Sequence, residues 1–129
     1  MPEQQKPKAA GIKRAGIKRI INAFFYSVDG LKATFKSEAA FRQEIILAAV
    51  GMPLAFFLTD VNLARAAMIG SLLLVLVVEL LNSAVEAAVN RFGPEYHPLA
   101  KQAKDAGSAA VLVALILASI VWLLCLWPS

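Results

Sequence analysis

The C-terminal part of the chain contains 22 consecutive residues without a charged side chain, from Ala106 to Trp127. At a rise of about 1.5 Å per residue, a helix of this length is about 33 Å long, close to the ~30 Å hydrocarbon core of a bilayer. Inside that core a helix satisfies its own backbone hydrogen-bonding groups, which an irregular segment cannot do. This run therefore predicts a membrane-spanning helix and makes an integral membrane protein the expected class.

The rest of the chain fits the same class. Of its 129 residues, 59% are hydrophobic and 17% are charged, which is unlike a water-soluble domain. We predict one all-α membrane domain over residues 1–129, with a disordered tail at 1–10. Three membrane segments are expected at 42–59, 62–90 and 104–127, and Pro53 is tolerable within the first of them.

An amphipathic helix is predicted over residues 12–37, before the first membrane segment. Apolar residues recur there at steps of three and four, while lysines, arginines and other polar residues take most of the opposite face. A helix with aromatic residues on one face and lysines on the other suits the membrane interface. The apolar face consists of Ile17, Ile20, Ile21, Phe24, Phe25, Val28, Leu31 and Phe35.

The distribution of positive charge predicts the orientation in the membrane. Nine of the 13 lysines and arginines lie between Lys6 and Arg42, and three more lie in the connection from Asn90 to Asp105. Basic residues mark cytoplasmic segments, so we expect the N-terminus and this second loop to be cytoplasmic. Anionic lipid headgroups explain the basic N-terminus better than nucleic acid, which we do not expect as a partner.

Four polar residues interrupt the second membrane segment on a single helical face. Glu79, Asn82, Ser83 and Glu86 follow a stretch from Ala66 to Val78 that carries no charge. Positions i, i+3, i+4 and i+7 share one face of a helix, and ionisable groups at such depth usually have a function. An interhelical hydrogen-bonded clamp in an oligomer is the alternative interpretation of this polar stripe.

The depth of the polar stripe suggests chemistry near the cytoplasmic surface. Glu86 lies five residues before Arg91, or about 7.5 Å along a helix, and Glu79 lies twelve residues before it, or about 18 Å. Glu86 should therefore approach water, while Glu79 approaches the level of lipid ester groups. This geometry suits a reaction between a water-soluble donor and a membrane-dissolved acceptor.

Other polar groups are expected at the same level. Glu38 follows the interfacial helix, and Lys104 and Asp105 are placed where the third membrane helix is expected to begin, a position that favours phosphate. Taken alone, Lys104 and Asp105 are more often a helix cap with a lysine reaching the surface than a ligand site, and a single histidine such as His97 is usually just exposed. No Walker lysine loop, kinase glycine loop, HExxH or Ser-His-Asp arrangement is present in the sequence.

Four motifs in order give the chain a specific resemblance. Glu-Ala-Ala-Phe-Arg-Gln-Glu (38–44), Val-Glu-Leu-Leu-Asn-Ser-Ala-Val-Glu-Ala (78–87), Glu-Tyr-His (95–97) and Ala-Lys-Asp-Ala-Gly-Ser-Ala-Ala-Val (103–111) closely resemble the small prokaryotic diacylglycerol kinases, of the Gram-negative type. The resemblance runs from about residue 19 to the C-terminus. It implies a multi-pass lipid kinase of the bacterial inner membrane, with an interfacial helix and three transmembrane helices. It also implies a homotrimer with shared active sites, which uses ATP and Mg²⁺ to convert diacylglycerol to phosphatidic acid.

The resemblance also assigns roles to individual residues. Glu79 would be the general base on the lipid hydroxyl, Asn82 would orient the reacting groups, and Glu38 and Glu86 would hold Mg²⁺. Contacts to the nucleotide or its metal are implied for Arg19, Tyr26, Glu38, Glu86, Glu95, Tyr96, His97, Lys104 and Asp105. Contacts to the lipid substrate are implied for Ala23, Phe24, Phe25, Tyr26, Ser27, Val28, Lys32, Ala33, Thr34, Phe35, Ala40, Phe41, Arg42, Gln43, Glu44, Arg65, Glu79, Ser108, Trp122 and Trp127.

Two other functions remain open from the sequence. Undecaprenol kinases share nearly every motif. As a separate departure, family members often carry Asp-Arg where this chain has Asn90-Arg91, which touches none of the inferred catalytic groups. A small proton-coupled transporter would also need membrane carboxylates, but it should place one near the bilayer midplane with polar groups continuing outward. The stretch from Ala66 to Val78 offers only Ser71 for that purpose.

Overall fold

Four helices make up the described part of the chain. The computed structural model describes residues 9–129, with side chains from Arg14 onward. The helices are α1 (Ala9–Ser37), α2 (Ala39–Leu58), α3 (Asn62–Asn90) and α4 (Pro98–Leu126), and no strand occurs among these residues. The all-α class is therefore confirmed. Residues 1–8 of the predicted tail lie outside the described residues, and α1 already begins at Ala9.

Helices α2, α3 and α4 are each long and apolar enough to cross a membrane. The 20 residues of α2 correspond to about 30 Å, and the 29 residues of α3 and of α4 to about 44 Å. The two longer helices exceed the ~30 Å core, so their ends have to extend into the headgroup region. These three helices support the predicted integral membrane protein.

The chain divides into two compact units, residues up to Ala33 and residues Thr34–Ser129. The first unit contains most of α1, where large apolar side chains such as Ile17, Ile20 and Phe24 are more than half exposed. Phe24 and Phe25 pack edge to face with their ring centroids 5.8 Å apart. An apolar face of this kind suits the interfacial position, which stays a prediction.

In the second unit, α3 packs against both α2 and α4. Val75 of α3 packs with Ala114 and Ala118 of α4, and the small alanines let the two helices approach closely. The carbonyl oxygen of Met68 accepts hydrogen bonds from Ser71 Oγ at 2.7 Å and from Trp122 Nε1 at 3.2 Å. The second bond ties α4 to α3 where water is scarce and an unpaired indole N–H would be costly.

Arginine side chains cap the C-termini of two helices. After α1, Arg42 Nη1 donates to the carbonyl oxygens of Phe35 at 2.7 Å and Lys36 at 3.0 Å. After α2, Arg65 donates to the carbonyl oxygens of Phe56 at 2.9 Å and Thr59 at 2.8 Å. The last carbonyls of a helix lack partners within the helix, so these bonds fix both turns.

Candidate active site

The polar stripe on α3 is unevenly buried. Glu79 is only 5% exposed, whereas Asn82, Ser83 and Glu86 are half-buried. The side-chain oxygens of Asn82 (Oδ1) and Ser83 (Oγ) are closed to solvent, and no described residue hydrogen bonds to either of them. A buried polar atom without a partner is costly, so the Ser83 hydroxyl points to a group that the chain alone does not supply.

Carboxylates from three parts of the second unit converge on Glu79. Glu38, at the α1–α2 junction, and Glu86, two turns along α3, act electrostatically on Glu79, and Glu79 acts on Glu44 of α2. One carboxylate oxygen of Glu44 is buried without a hydrogen-bond partner among the described residues. Like charges repel one another, so these four carboxylates together favour binding a cation.

The local fold leaves the Glu38 carboxylate available. Glu38 has an extended backbone (φ −116°, ψ 110°) and precedes α2, but its side chain makes no capping hydrogen bond. In the part of the chain that the structure describes, no group of three or more His, Cys, Asp or Glu is arranged to hold a metal ion. Mg²⁺ commonly takes one or two protein carboxylates, and phosphate oxygens and waters complete its coordination. Glu38 and Glu86 fit the part of the protein carboxylates in such a site.

A cleft of about 860 Å³ opens between the end of α3 and the start of α4. Five of the residues assigned to the nucleotide line this single cleft: Glu95, Tyr96, His97, Lys104 and Asp105. Asn90 also lines it, and Glu86 precedes Asn90 by four residues, about 6 Å along the helix. The cleft therefore begins about one helical turn from the acidic cluster.

The loop that frames the cleft has a defined conformation. Gly93 ends the α3 turn with φ +93°, a backbone region that favours glycine. His97 caps α4, since its Nδ1 accepts a hydrogen bond from the Leu99 backbone N–H at 3.1 Å. Pro98 takes the first helical position, where its missing N–H costs nothing.

These signals correct the expected start of the last helix. The sequence placed Lys104 and Asp105 where this helix begins, but α4 begins at Pro98, six residues earlier. Hydropathy marks where the apolar part of a helix starts, whereas the cap and proline set where the helix itself starts. Lys104 and Asp105 consequently lie in the second helical turn, beyond the free N-terminal amides that would favour phosphate.

Lys101 is a site residue that the sequence analysis missed. Its Nζ pairs with Asp105, one helical turn away, and it lines the same cleft as Lys104. The i, i+4 spacing from Asp105 was the available signal. Lys101 and Lys104 therefore both present ammonium groups to the cleft, beside the carboxylates of Glu95 and Asp105, and ammonium groups can donate hydrogen bonds to phosphate oxygens.

Several residues assigned to the lipid have partners within the protein. Phe41 is 1% exposed, so its ring has almost no surface left for a lipid within this chain. Arg42 and Arg65 donate hydrogen bonds to backbone carbonyl oxygens, and the Trp122 indole N–H donates to the Met68 carbonyl oxygen of α3. Ala40, Gln43, Ser108 and Trp127 are exposed. The lipid contacts of all these residues stay predictions.

The assigned residues of α1 up to Ala33 belong to the first unit. Arg19 and Tyr26 are exposed there, as are Phe24 and Phe25. Ser27 Oγ donates to the Ala23 carbonyl oxygen at 2.9 Å, a bond within the helix. Their contacts to nucleotide or lipid stay predictions.

Comparison with known proteins identifies the family. The sequence model of the prokaryotic diacylglycerol kinases matches residues 25–126. A diacylglycerol kinase of Pseudomonas aeruginosa is 52% identical over 109 residues, covering 84% of this chain and 89% of that protein. Diacylglycerol kinases of Haemophilus influenzae (50% over 110 residues; 85% and 93% covered) and Escherichia coli K12 (49% over 112 residues; 87% and 92% covered) are similarly close. The resemblance is confirmed: the chain belongs to the prokaryotic diacylglycerol kinase family and is a membrane lipid kinase.

Proposed function

We propose that the chain transfers the γ-phosphoryl group of ATP to the hydroxyl of diacylglycerol and so forms phosphatidic acid. Family membership and relatives named diacylglycerol kinase support this substrate. The observation that carries the proposed site is the buried Glu79 with three other carboxylates acting on it or acted on by it, of which Glu86 lies one helical turn from the cleft that Lys101 and Lys104 line. Such an arrangement can join a soluble phosphate donor to an acceptor in the membrane.

Glu79 acts as the general base in this proposal. The lipid hydroxyl oxygen attacks the γ-phosphorus, the bond from that phosphorus to the β–γ bridging oxygen breaks, and ADP leaves. The hydroxyl proton passes to a Glu79 carboxylate oxygen. Its burial keeps Glu79 away from bulk water, which would otherwise compete with the lipid as acceptor.

Glu38 and Glu86 hold Mg²⁺ in this proposal, and a metal bound there neutralises charge on the phosphates. Their position around Glu79 and the uncommitted Glu38 carboxylate support that assignment. Asn82 lies on the same face of α3 between Glu79 and Glu86, where its amide can orient the reacting groups. The nucleotide occupies the cleft, with Lys101 and Lys104 beside its phosphates.

The site faces the cytoplasm of a bacterial inner membrane, where ATP is available. The basic N-terminus and the three basic residues of the α3–α4 connection support this orientation. The active form is a homotrimer, which the family resemblance supports. Many large apolar side chains of α2, α3 and α4 are also exposed in the single chain, which leaves much surface for neighbouring copies.

Phosphate transfer from γ-labelled ATP in mixed micelles with Mg²⁺ tests the function. Diacylglycerol and a C55 polyprenol are offered separately at equal mole fraction, and labelled lipid is quantified. We expect labelled phosphatidic acid to form at a rate at least tenfold above labelled polyprenyl phosphate. A faster reaction with polyprenol would replace diacylglycerol with the alternative acceptor, and no labelled lipid from either would contradict the proposed chemistry.

A further inference from the structure

Gly107 of α4 lies directly against the side chain of Asn82 of α3. A Cβ atom built on Gly107 would overlap Asn82 Oδ1 and would lie 3.2 Å from Asn82 Cγ. Real Cβ atoms essentially never approach another atom as closely as this Cβ would approach Oδ1. The absence of a side chain at position 107 therefore creates a recess in α4, the Gly107 notch, which the Asn82 amide fills.

The notch holds the oxygen of the Asn82 amide and so sets the direction of its N–H₂ group, which the proposed mechanism uses. Oδ1 is closed to solvent and receives no hydrogen bond from any described residue, so packing rather than hydrogen bonding holds it. With the oxygen against α4, the amide N–H₂ group is the part left to donate to a carboxylate or a phosphate. Asn82 follows Glu79 at i+3 and precedes Glu86 at i+4, so all three share one face of α3.

Among the described glycines, Gly107 is the one whose Cβ would overlap a side chain with a role in the proposed mechanism. A Cβ on Gly16, Gly30 or Gly70 would meet nothing within 4 Å. A Cβ on Gly51 would meet the apolar end of Leu72, which has no assigned role. Glycine is less favourable than alanine inside a helix, so helix formation alone gives no reason for glycine at 107.

We propose that Gly107 is a positioning residue for phosphoryl transfer, because its notch holds the Asn82 amide on the carboxylate face of α3. This inference rests on the proposed role of Asn82. Gly107 touches no reacting atom itself, and its effect passes through Asn82. A side chain at 107 would push the amide from its seat by roughly an ångström, a displacement that can cost on the order of 10²-fold in rate.

A double-mutant cycle between Gly107→Ala and Asn82→Ala tests the proposal in the full-length membrane enzyme. We expect Gly107→Ala to lower kcat by about ten- to hundredfold, with KM for ATP nearly unchanged, because the nucleotide cleft is not altered. In the Asn82→Ala background the same change should alter kcat by less than twofold, because the clashing amide is gone. Gly70→Ala in α3 is the matched control and should retain wild-type kcat.

The cycle has outcomes that overturn the proposal. A Gly107→Ala enzyme with kcat within twofold of wild type would do so, as would equal losses in both Asn82 backgrounds. If Asn82→Ala itself is fully active, the proposed role of Asn82 fails. Thermal unfolding of the wild type, the two single variants and the double variant then tests whether Gly107 and Asn82 are in contact. Because the clash is absent without the Asn82 amide, the change in Tm caused by Gly107→Ala should be at least 3 °C more favourable in the Asn82→Ala background than in the wild type. Equal changes in Tm in both backgrounds would refute the contact. If Gly107→Ala does not fold, we expect the Gly107→Ala/Asn82→Ala double variant to fold, because it lacks the clashing amide. Failure of the single and the double variant to fold would also overturn the proposal.

Discussion

The burial of individual carboxylates distinguishes their chemical roles. Glu79 is nearly inaccessible, while Glu86, seven residues along the same face, is half-buried and closer to the cleft. A metal ion that arrives with ATP from water should be held by the more accessible groups, and a base that acts on a lipid hydroxyl should be shielded. This gradient gives a physical reason for the division of labour proposed for Glu79 and Glu86.

Removing one anionic metal ligand should weaken the response of the enzyme to Mg²⁺. We expect Glu38→Gln and Glu86→Gln each to raise the Mg²⁺ concentration for half-maximal rate by about tenfold, because a neutral amide is a poorer ligand for a hard cation. Initial rates over a Mg²⁺ titration at saturating ATP measure this. Asp29→Asn, an exposed carboxylate without an assigned role, is the control. Unchanged midpoints in both glutamine variants would remove these residues from metal binding.

Lys101 should contribute to ATP affinity. Lys101→Gln is expected to raise KM for ATP by about two- to fivefold with little change in kcat, since an exposed charge pair contributes only ~0.2–1 kcal/mol. Steady-state kinetics with ATP as the varied substrate give both constants. Lys18→Gln, which removes an exposed lysine of α1, is the matched control. A loss confined to kcat would show that Lys101 does not act through nucleotide binding.

At the scale of helices, the hydrophobic pattern of the sequence predicts the number and the approximate positions of the membrane helices. Long uncharged runs identify the membrane helices because, in a bilayer, few other conformations satisfy the hydrogen bonds of the backbone. The predicted start of α4 is too late because residues 98–105 include four polar side chains and are nevertheless helical, with Pro98 and the His97 cap fixing the first turn. The contact between Gly107 and Asn82 was also beyond the sequence, because it depends on the register of two helices.

Helix capping by arginine was equally invisible in the sequence, since backbone carbonyls are acceptors that every residue carries. Arg65 also lies over the Phe56 ring, 4.8 Å from its centroid, and its side chain is 20% exposed. These contacts give it a structural role whether or not it also touches lipid. The candidate site was accessible from sequence because its chemistry needs charged residues in an apolar segment, where they are conspicuous.

Replacing Arg65 should destabilise the α2–α3 turn. We expect Arg65→Lys to lower the free energy of unfolding by about 1–3 kcal/mol, because a lysine keeps the charge but loses the fork that reaches two carbonyls. Thermal unfolding in detergent, followed by circular dichroism, measures the effect. Arg14→Lys on α1 is the control. An unchanged unfolding midpoint together with a raised KM for diacylglycerol would instead assign Arg65 to the lipid.

For the whole molecule, the proposed homotrimer predicts a defined assembly. Amine-reactive crosslinking of the purified enzyme in mild detergent should give a ladder that ends at three chains. Activity should follow the three-chain species through size-exclusion chromatography, because in the proposed trimer neighbouring chains share the active sites. An active monomeric fraction, or a ladder that ends at two chains, would contradict this assembly.

The central claim is that Glu79 accepts the proton of the lipid hydroxyl. Its most direct test is the single-turnover rate of phosphate transfer from labelled ATP to diacylglycerol in Glu79→Gln. A glutamine keeps the shape of the side chain but cannot accept the proton, so we predict a loss of about 10²–10⁴-fold. ATP affinity, measured separately by equilibrium binding, should stay within threefold of wild type. A single-turnover rate within threefold of wild type would contradict the account.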